Sequence, residues 1–528
     1  MKIIQQAMAA LVFALLLIAL PRPSTASSVI VIGAGMSGIF AAKTLYEAGV
    51  TDIVILEGSS RIGGRMMKAE LGGYTVETGA NWYNTGGPLQ NVVASLANKT
   101  KLRSSRNDNL NMSANTYGQE GSLYPKQLVE QVQKVSSDKE SFYERYSAVL
   151  SSISKAEGVD IDVSVWKRRG CLESKQTCLD LVILLDSHVD YRVIMSCLPP
   201  LFFGGDSVPS SSLEMVIDYF NNDYEDGDPP MVSSLKHTYP RREAMDHGDV
   251  TNFVCDPRGF EVLVQDLACQ FVNRSSKHSK LLLDKVVKEI FYTTNRGVRV
   301  ETEDGSAYQA KYAVVSVSLG VLQSNLIRFA PTLPRWKTDA ISRFDMAVYT
   351  KIFLKFPYRF WPAGPGTGYF FYAHARRGYY PVWQHLENEY PGSNILFATV
   401  TGDESRRIER LPDEDVQKEA MDVLRKIYGN GIPEPERILV PRWAMDRLYK
   451  GSYSNWPNGY TKAKHDQLRA QVGSVYFTGE HTSSKYFGYL TGAYLGGIDT
   501  AKDLIKSIKA ERGMTLSRKS IVDIRFEK

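Results

Sequence analysis

Three glycines and one acidic residue near the N-terminus have the spacing of a dinucleotide-binding turn. Gly33, Gly35 and Gly38 directly follow an apolar, β-branched run, and Glu57 follows the next such run. In that arrangement the first glycine permits a tight turn, the second lets the backbone approach a pyrophosphate, and the third lets helix and strand pack closely. The helix N-terminus attracts phosphate, and the acid accepts hydrogen bonds from ribose hydroxyls. An ordinary turn between strands also uses glycine, but strand, helix and acid are in register here, which favours a dinucleotide site.

A lysine inside an apolar run is the second candidate for chemistry. Alternation along residues 346–356 places Tyr349, Lys351 and Phe353 on one face of a predicted strand. Burying an ammonium group is costly, so a lysine in such a run requires a reason. Either its amine serves a site, or the lysine lies at a strand edge and reaches water.

A short acidic segment follows in the middle of the chain. Residues 223–228 contain four acidic side chains, and two prolines come directly after them. Charged residues mostly face water, so one interpretation is a solvated loop. The other is the negative mouth of a tunnel, which would attract a polycation.

The elements that would position these residues indicate an α/β fold. Residues 28–65 have the order strand, glycine turn, helix and strand, which predicts a parallel sheet. A chain of 528 residues with 43% hydrophobic composition suits two or three globular domains. Its net charge of +5 is small and dispersed, so we expect no nucleic-acid partner. The five cysteines include no close metal-binding pair, so we expect no metal.

The first residues indicate export from the cell. Residues 1–26 combine a charged start, an apolar run and small residues before a cleavage point after Ala26, which predicts a signal peptide. An uncleaved anchor is the alternative, but the apolar run is short for a membrane span. The glycosylation sequons at Asn98, Asn111 and Asn273 fit a secreted, extracellular glycoprotein. We therefore expect no membrane anchor.

Five further segments carry a resemblance to a known enzyme family. They are residues 61–65, 72–82, 313–322, 475–482 and 488–494, and they are spread along most of the chain. These segments resemble the flavin amine oxidases, and within that family the secreted plant polyamine oxidases.

The resemblance implies a fold of two discontinuous domains. A Rossmann-like FAD-binding domain with a parallel sheet would comprise residues 28–105, 240–345 and 455–512. A substrate domain of mixed sheet and helices would comprise residues 106–239 and 346–454.

One segment has no counterpart in the family pattern. Residues 168–207 hold three of the five cysteines and an apolar block. The segment is either an insert translated from an unremoved intron or a genuine extra loop.

The resemblance also implies roles for individual residues. Lys351 would hold a water beside the flavin, and Tyr349 would line the same cavity, so these two are the catalytic candidates. Tyr453 and Tyr489 would form the walls of an aromatic sandwich around the amine.

The remaining candidates would contact FAD or substrate. The expected cofactor contacts are Gly33, Gly35, Met36, Ser37, Gly38, Glu57, Arg65, Asn81, Trp82, Val287, Trp443, Glu480 and Tyr489. The expected substrate contacts are Asn84, Glu225, Tyr453 and Gly488, and at Asn84 the plant relatives have a glutamate.

The implied chemistry is oxidation of a polyamine, such as spermine or spermidine, at a carbon next to a secondary amine. The amine would give a hydride to non-covalently bound FAD, and the imine would hydrolyse to an aminoaldehyde and a smaller amine. Dioxygen would take the electrons and yield hydrogen peroxide. An enzyme that uses only a nicotinamide cofactor is disfavoured, and we expect a monomer. Two alternatives stay open: oxidation of another amine, and a non-catalytic flavin-binding or mis-spliced product. No arginine can be assigned from the sequence to hold an amino-acid carboxylate.

Overall fold

A computed structural model describes residues 27–106, 110–157, 209–272, 279–293 and 297–511. The predicted signal peptide, the segment 168–207 and the sequon at Asn273 lie outside these residues. Among the described residues, no helix combines the length and apolar character that spanning a bilayer requires.

The chain alternates short strands with helices of varied length. In chain order the strands are β1 (Ser27–Ile32), β2 (Ile53–Leu56), β3 (Lys68–Leu71), β4 (Tyr74–Glu77), β5 (Trp82–Thr85), β6 (Ser104–Arg106), β7 (Thr116–Tyr117), β8 (Val250–Val254), β9 (Ser279–Leu282), β10 (Val287–Thr293), β11 (Gly297–Thr302), β12 (Ala307–Val315), β13 (Arg328–Ala330), β14 (Asp345–Ala347), β15 (Tyr349–Lys355), β16 (Tyr369–Tyr372), β17 (Val382–His385), β18 (Ile395–Thr401), β19 (Arg437–Leu439), β20 (Tyr453–Asn455) and β21 (Val475–Phe477).

The helices are α1 (Met36–Glu47), α2 (Val92–Thr100), α3 (Lys126–Glu157), α4 (Ser212–Asn221), α5 (Asp223–Asp226), α6 (Leu235–Thr238), α7 (Arg242–His247), α8 (Val262–Cys269), α9 (Leu319–Gln323), α10 (Arg335–Arg343), α11 (Gly402–Ile408), α12 (Asp413–Tyr428), α13 (Lys462–Arg469) and α14 (Leu490–Glu511). Two 3-10 turns, Met112–Ala114 and Glu480–Thr482, complete the set of described helical segments.

The first large sheet contains the predicted N-terminal strands. Its order is β13-β10-β11-β12-β1-β2-β9, and β21 pairs with the carboxyl half of β12. Ile30 of β1 lies between Ala313 and Val54 in parallel register. Strands β1 and β2 are buried on both faces, which explains why their sequences are continuously apolar and β-branched. On one face α1 packs against α14, where a side chain at Gly497 would lie 2.3 Å from the Ser37 carbonyl oxygen.

One strand prediction needs correction. The apolar pattern predicts a single strand over residues 281–290, antiparallel to a strand over residues 298–301. The structure divides this segment into β9, which is parallel to β2, and β10, which is antiparallel to β11. The break lies at Asp284, whose φ of 56° is left-handed and turns the chain. The backbone N–H of Lys285 then donates to the Glu57 carbonyl, which ties this turn to the end of β2.

The second large sheet has the order β19-β15-β18-β17-β16-β7. Its pairs are antiparallel except for β16 with β7. Helix α12 contributes Val416, Ala420 and Leu424 to the core that includes Ile352 of β15. Together the parallel and antiparallel sheets confirm the predicted mixed α/β fold. The domain boundaries given above stay a prediction.

Candidate active site

A cavity of about 750 Å³ lies where the two large sheets approach each other. Its lining includes Ile32 and Leu56, at the carboxyl ends of β1 and β2, and Tyr349 and Tyr369 from β15 and β16. The carboxyl ends of parallel strands are where α/β folds bind ligands. The volume lies in the range of sites for cofactors and small molecules.

Most of the predicted site residues line this cavity. The lining residues among them are Gly33, Gly35, Met36, Ser37, Glu57, Arg65, Asn81, Trp82, Val287, Trp443, Glu480, Tyr489, Tyr349, Asn84, Glu225, Tyr453 and Gly488. Two predicted residues, Gly38 and Lys351, lie behind the cavity wall.

The glycine turn explains why Gly38 does not reach the cavity. A side chain at Gly38 would lie 2.1 Å from the Gly33 carbonyl oxygen, so this glycine serves the contact between helix and strand. Gly33 has a φ of +103° and faces Ser316 closely. At Gly35, in contrast, an added Cβ would meet no protein atom nearer than 3.7 Å, namely the Gly64 Cα. The protein therefore needs glycine at the first and third positions, and the second leaves free space toward the cavity.

Glu57 is held in a fixed orientation at the end of β2. One carboxylate oxygen accepts from the Ala34 N–H at 2.7 Å, and the other accepts from the Ser59 N–H and hydroxyl. The cradle at Gly35 and this oriented carboxylate on the cavity wall fit the phosphate and ribose parts of a dinucleotide.

Arg61 and Arg65, which lie on either side of Gly63 and Gly64, make different contacts. Arg61 donates to the Met66 carbonyl at 2.9 Å, to the Gly64 carbonyl and to Glu261, so it braces its own loop and does not line the cavity. Arginine suits bidentate phosphate contact, but the guanidinium of Arg61 is occupied by these protein partners. Arg65 does reach the cavity and pairs with Glu480 at 2.8 Å.

The buried carboxylate of Glu480 contacts three separate segments of the chain. Its carboxylate accepts from Arg65, from the Ser454 N–H at 3.2 Å and from the Gly488 N–H at 2.8 Å. Burial acts to raise the pKa of Glu480, but the charges of Arg65 and His481, together with hydrogen bonds from Ser454 and Arg65, outweigh it, so the pKa is lowered. The carboxylate thereby joins the loop of Arg65 to β20 and to the turn at Gly488.

Lys351 is buried, with 2% of its surface exposed, so it is not an edge lysine. Its Nζ donates to the Glu77 carbonyl at 3.0 Å, the Gly79 carbonyl at 2.8 Å and the Asn81 Oδ1 at 3.0 Å. Burial lowers its pKa to about 7, although Glu77 opposes the shift. Lys351 therefore anchors the segment 77–81, and within this segment Asn81 lines the cavity.

The aromatic part of the cavity is larger than expected. Tyr453 was predicted to form a sandwich with Tyr489, and both line the cavity. The rings that pack together are Tyr349 with Tyr453, with centroids 6.1 Å apart, and Tyr349 with Tyr224, 5.6 Å apart. Sequence reasoning missed Tyr224, and its place inside the acidic segment was the available signal.

The acidic segment is a helical turn, α5, and not a solvated loop. Asp223 and Asp228 are buried, and burial raises the pKa of each to about 7. Glu225 faces the cavity, where its carboxylate accepts from the Tyr489 hydroxyl and its carbonyl accepts from the Tyr453 hydroxyl at 3.0 Å. Acidic and aromatic groups thus meet at one wall.

Asn84, an expected substrate contact, lies on strand β5. Strand β5 pairs with β8, and the Asn84 Nδ2 donates to the Gly248 carbonyl at 2.8 Å.

Trp443 is 3% exposed and donates from its indole to the Thr78 carbonyl at 3.1 Å, which braces the same loop as Lys351. Val287 is the first residue of β10 and is buried at the cavity wall.

Three arginines line the cavity, and the sequence had predicted only one of them, Arg65, as a cofactor contact. Each of them is paired with a carboxylate: Arg65 with Glu480, Arg241 with Asp226, and Arg447 with Glu303. Their charges are neutralised by these partners, so the wall does not present a free guanidinium group to an anionic substrate.

The parallel sheet, the glycine cradle and the cavity define an enzyme of the dinucleotide-dependent oxidoreductase class. The family model described as flavin containing amine oxidoreductase matches residues 36–505, and the chain belongs to this family. It is therefore a flavin-dependent amine oxidoreductase with FAD as its cofactor.

Similar proteins agree with this assignment. The chain is 47% identical over 485 residues to "Polyamine oxidase 1" of Zea mays, with 90% of each chain covered. It is 46% identical over 484 residues to "Polyamine oxidase 6" of Oryza sativa subsp. japonica, again with 90% of each covered. A solved structure of a putrescine oxidase triple mutant is similar in fold, with a TM-score of 0.62, 16% identity, and 91% of this chain and 99% of that chain covered.

Proposed function

We propose that the chain oxidises polyamines, such as spermidine and spermine, at a carbon next to a secondary amine. The products would be an aminoaldehyde, a smaller amine and hydrogen peroxide. The observation that carries this proposal is the wall formed by Glu225, Tyr453 and Tyr489, where a carboxylate stands among aromatic rings in the cavity. Aromatic faces and a carboxylate together suit a substrate with several ammonium groups. The names of the plant relatives support the same substrate class.

The residues would divide the work along the cavity. When bound, the flavin would accept a hydride from the carbon beside the amine nitrogen and pass the electrons to dioxygen. Gly35 and Glu57 would hold its phosphate and ribose parts. Tyr349 and Tyr453 would orient the reacting amine, and Glu225 would bind a distal ammonium group. Lys351 would act on the cavity through Asn81 and the loop it anchors.

Anaerobic reduction of the bound flavin tests the substrate class. Spermidine and spermine should bleach the visible absorbance of the purified holoenzyme, whereas a monoamine of similar length and an amino acid should act far more slowly. The monoamine is the matched control, because it lacks the distal charge that Glu225 would bind. Efficient bleaching by the monoamine alone would show that the enzyme oxidises another amine. A bound flavin that no amine reduces would favour the non-catalytic alternative. Mass spectrometry of the products after aerobic turnover would identify which carbon is oxidised.

We further propose that the protein is secreted, glycosylated and binds FAD without a covalent bond. Asn98 and Asn111, the sequon asparagines within the described residues, are both exposed. Enzymatic removal of N-linked glycans from the natural protein should therefore increase its electrophoretic mobility, and N-terminal sequencing should begin after Ala26. Acid precipitation should release the flavin into the supernatant, and yellow pelleted protein would contradict a non-covalent site.

A further inference from the structure

The carboxylate that would select the substrate lies on a very short helix. Glu225 belongs to α5, which is a single turn of four residues. An isolated turn of this length is not stable in water, because few hydrogen bonds offset the entropy of ordering it. Something outside the helix must hold Glu225 against the hydroxyls of Tyr453 and Tyr489.

The first residue of the turn is held by Arg377. Its Nη2 donates to the Asp223 Oδ2 at 2.6 Å and its Nε to the Asp223 Oδ1 at 3.1 Å. The same Nη2 also donates to Asp218 at 2.8 Å, which links α5 to α4. This two-pronged arginine–carboxylate contact is a strong and directional one.

The last residue of the turn is held in the same way by Arg241. Its Nη2 donates to the Asp226 Oδ2 at 3.0 Å and its Nε to the Asp226 Oδ1 at 3.3 Å. Nη2 also donates to the Asn221 carbonyl at 2.7 Å, so one guanidinium joins the last residue of α4 to the last residue of α5. The pair is largely buried, with side-chain exposures of 13% for Arg241 and 11% for Asp226.

The position of Arg241 requires an explanation, because it lines the cavity proposed to receive a cation. A free guanidinium there would repel such a substrate. Its pairing with Asp226 removes most of that repulsion, so the arginine can shape the wall without opposing the charge of the substrate.

We infer that Arg241 is a positioning residue that sets the affinity for polyamines by holding Glu225 in place, with Arg377 holding the other end of the same turn. This inference rests on the proposed function. Neither arginine carries out a step of the reaction, so its loss should weaken substrate binding far more than it slows the oxidation itself.

The test compares Arg241→Gln with Arg242→Gln in the flavin-loaded enzyme. Arg242 is the adjacent residue and is exposed, and its guanidinium contacts the Met245 sulfur instead of an acid of α5. Arg241→Gln should raise the KM for spermidine roughly tenfold to a hundredfold, since misplacing a binding group by about an ångström has effects of this size. Its rate of flavin reduction at saturating spermidine should stay close to that of the parent. Arg242→Gln should change neither value.

A double substitution separates positioning from a general structural role. If Arg241 acts through Glu225, Arg241→Gln should add little to the KM of a Glu225→Gln variant, because the group it positions is already neutral. An equal increase in both backgrounds would overturn the inference. Arg241→Lys keeps the charge without the two-pronged contact, so its KM should be intermediate, and it replaces Arg241→Gln if that variant does not fold.

Hydrogen exchange provides a readout that does not depend on the substrate. The amides of residues 222–228 should exchange faster in Arg241→Gln than in Arg242→Gln and the parent. If the parent does not oxidise polyamines, the proposed function fails, but the exchange rates still decide whether Arg241 holds the turn. Unchanged exchange in Arg241→Gln would overturn its positioning role.

Discussion

Replacing Gly35 by alanine should weaken flavin binding without destabilising the protein. Gly35 is the residue just before α1 and has φ −79° and ψ −176°, a conformation that alanine adopts freely. Its added Cβ would meet no protein atom nearer than 3.7 Å. Because Gly35 lines the cavity, the methyl group would instead occupy the space in which the pyrophosphate of the cofactor must approach the protein backbone.

The expected magnitudes follow from these contacts. Alanine at a helix N-cap is less favourable than glycine by up to about 1 kcal/mol. It also restricts the unfolded chain, which stabilises the fold by about 0.4–1 kcal/mol, so the two effects largely offset. Forcing an extra methyl group into a packed contact costs about 1–3 kcal/mol. That range corresponds to an increase of roughly fivefold to 150-fold in the flavin dissociation constant.

The assay is flavin fluorescence during dilution of the holoenzyme, combined with thermal unfolding of the flavin-free protein. Gly38→Ala is the contrasting variant, since its Cβ would lie 2.1 Å from a backbone oxygen that cannot move away, and it should yield little folded protein. Gly49→Ala, at a surface turn with φ +86° and no atom within 4 Å, should lose some stability and keep its flavin affinity. A flavin dissociation constant for Gly35→Ala equal to that of the parent would refute the role of Gly35 in admitting the cofactor.

Two further substitutions probe the loop beside the cavity. Lys351→Met should slow flavin reduction by spermidine roughly a hundredfold, because three acceptors on the segment 77–81 lose their donor and the loop on the cavity wall shifts. Anaerobic stopped-flow measurement checks this rate. The same variant should lose a pH dependence of stability. In the parent the folded state releases the lysine proton at about 7 and the unfolded state near 10.5, so the unfolded state binds more protons in between and stability rises with pH. Between pH 7.5 and pH 9 the melting temperature of the parent should therefore rise relative to that of the variant. The same dependence of melting temperature on pH in both proteins would contradict the assigned pKa. Asn84→Glu should lower the KM for spermidine by up to about fivefold at low salt and less at high salt, because it adds a partly exposed carboxylate to the cavity wall. A KM unchanged at low salt would show that this position does not meet the substrate.

The parts of the site that the sequence predicted are those defined by local spacing. The glycine turn and Glu57 lie within 25 residues, and their roles follow from strand and helix periodicity alone. Helix α12 could be predicted for the same reason, since acids fill its first turn, apolar residues recur at helical spacing and Gly429 ends it.

The parts that could not be predicted depend on contacts between distant segments. The acceptors of Lys351 are 270–274 residues away in the chain, so alternation could indicate a buried lysine but not its partners. The same holds for Arg241, which appeared in the sequence only as half of a basic pair. Whether it faced water or an acid was decided by the packing of α4 and α5. The break at Asp284 was missed because one residue with left-handed φ carries no hydrophobic signal.

The segment 77–81 shows how the two sheets depend on each other. On one side its backbone is tied to the segment that follows β2 of the first sheet: the Thr78 N–H donates to the Met67 carbonyl, and a side chain at Gly79 would lie 1.9 Å from the Arg65 carbonyl oxygen. On the other side its carbonyls accept from Lys351 of the second sheet and from the indole of Trp443, which follows β19. Because the loop is held on both sides, its position is set only when the segment after β2 and the second sheet are both folded. Because this loop lines the cavity, the surface offered to the flavin is complete only in the assembled enzyme, and damage to the second sheet should reduce flavin affinity without touching the glycine turn.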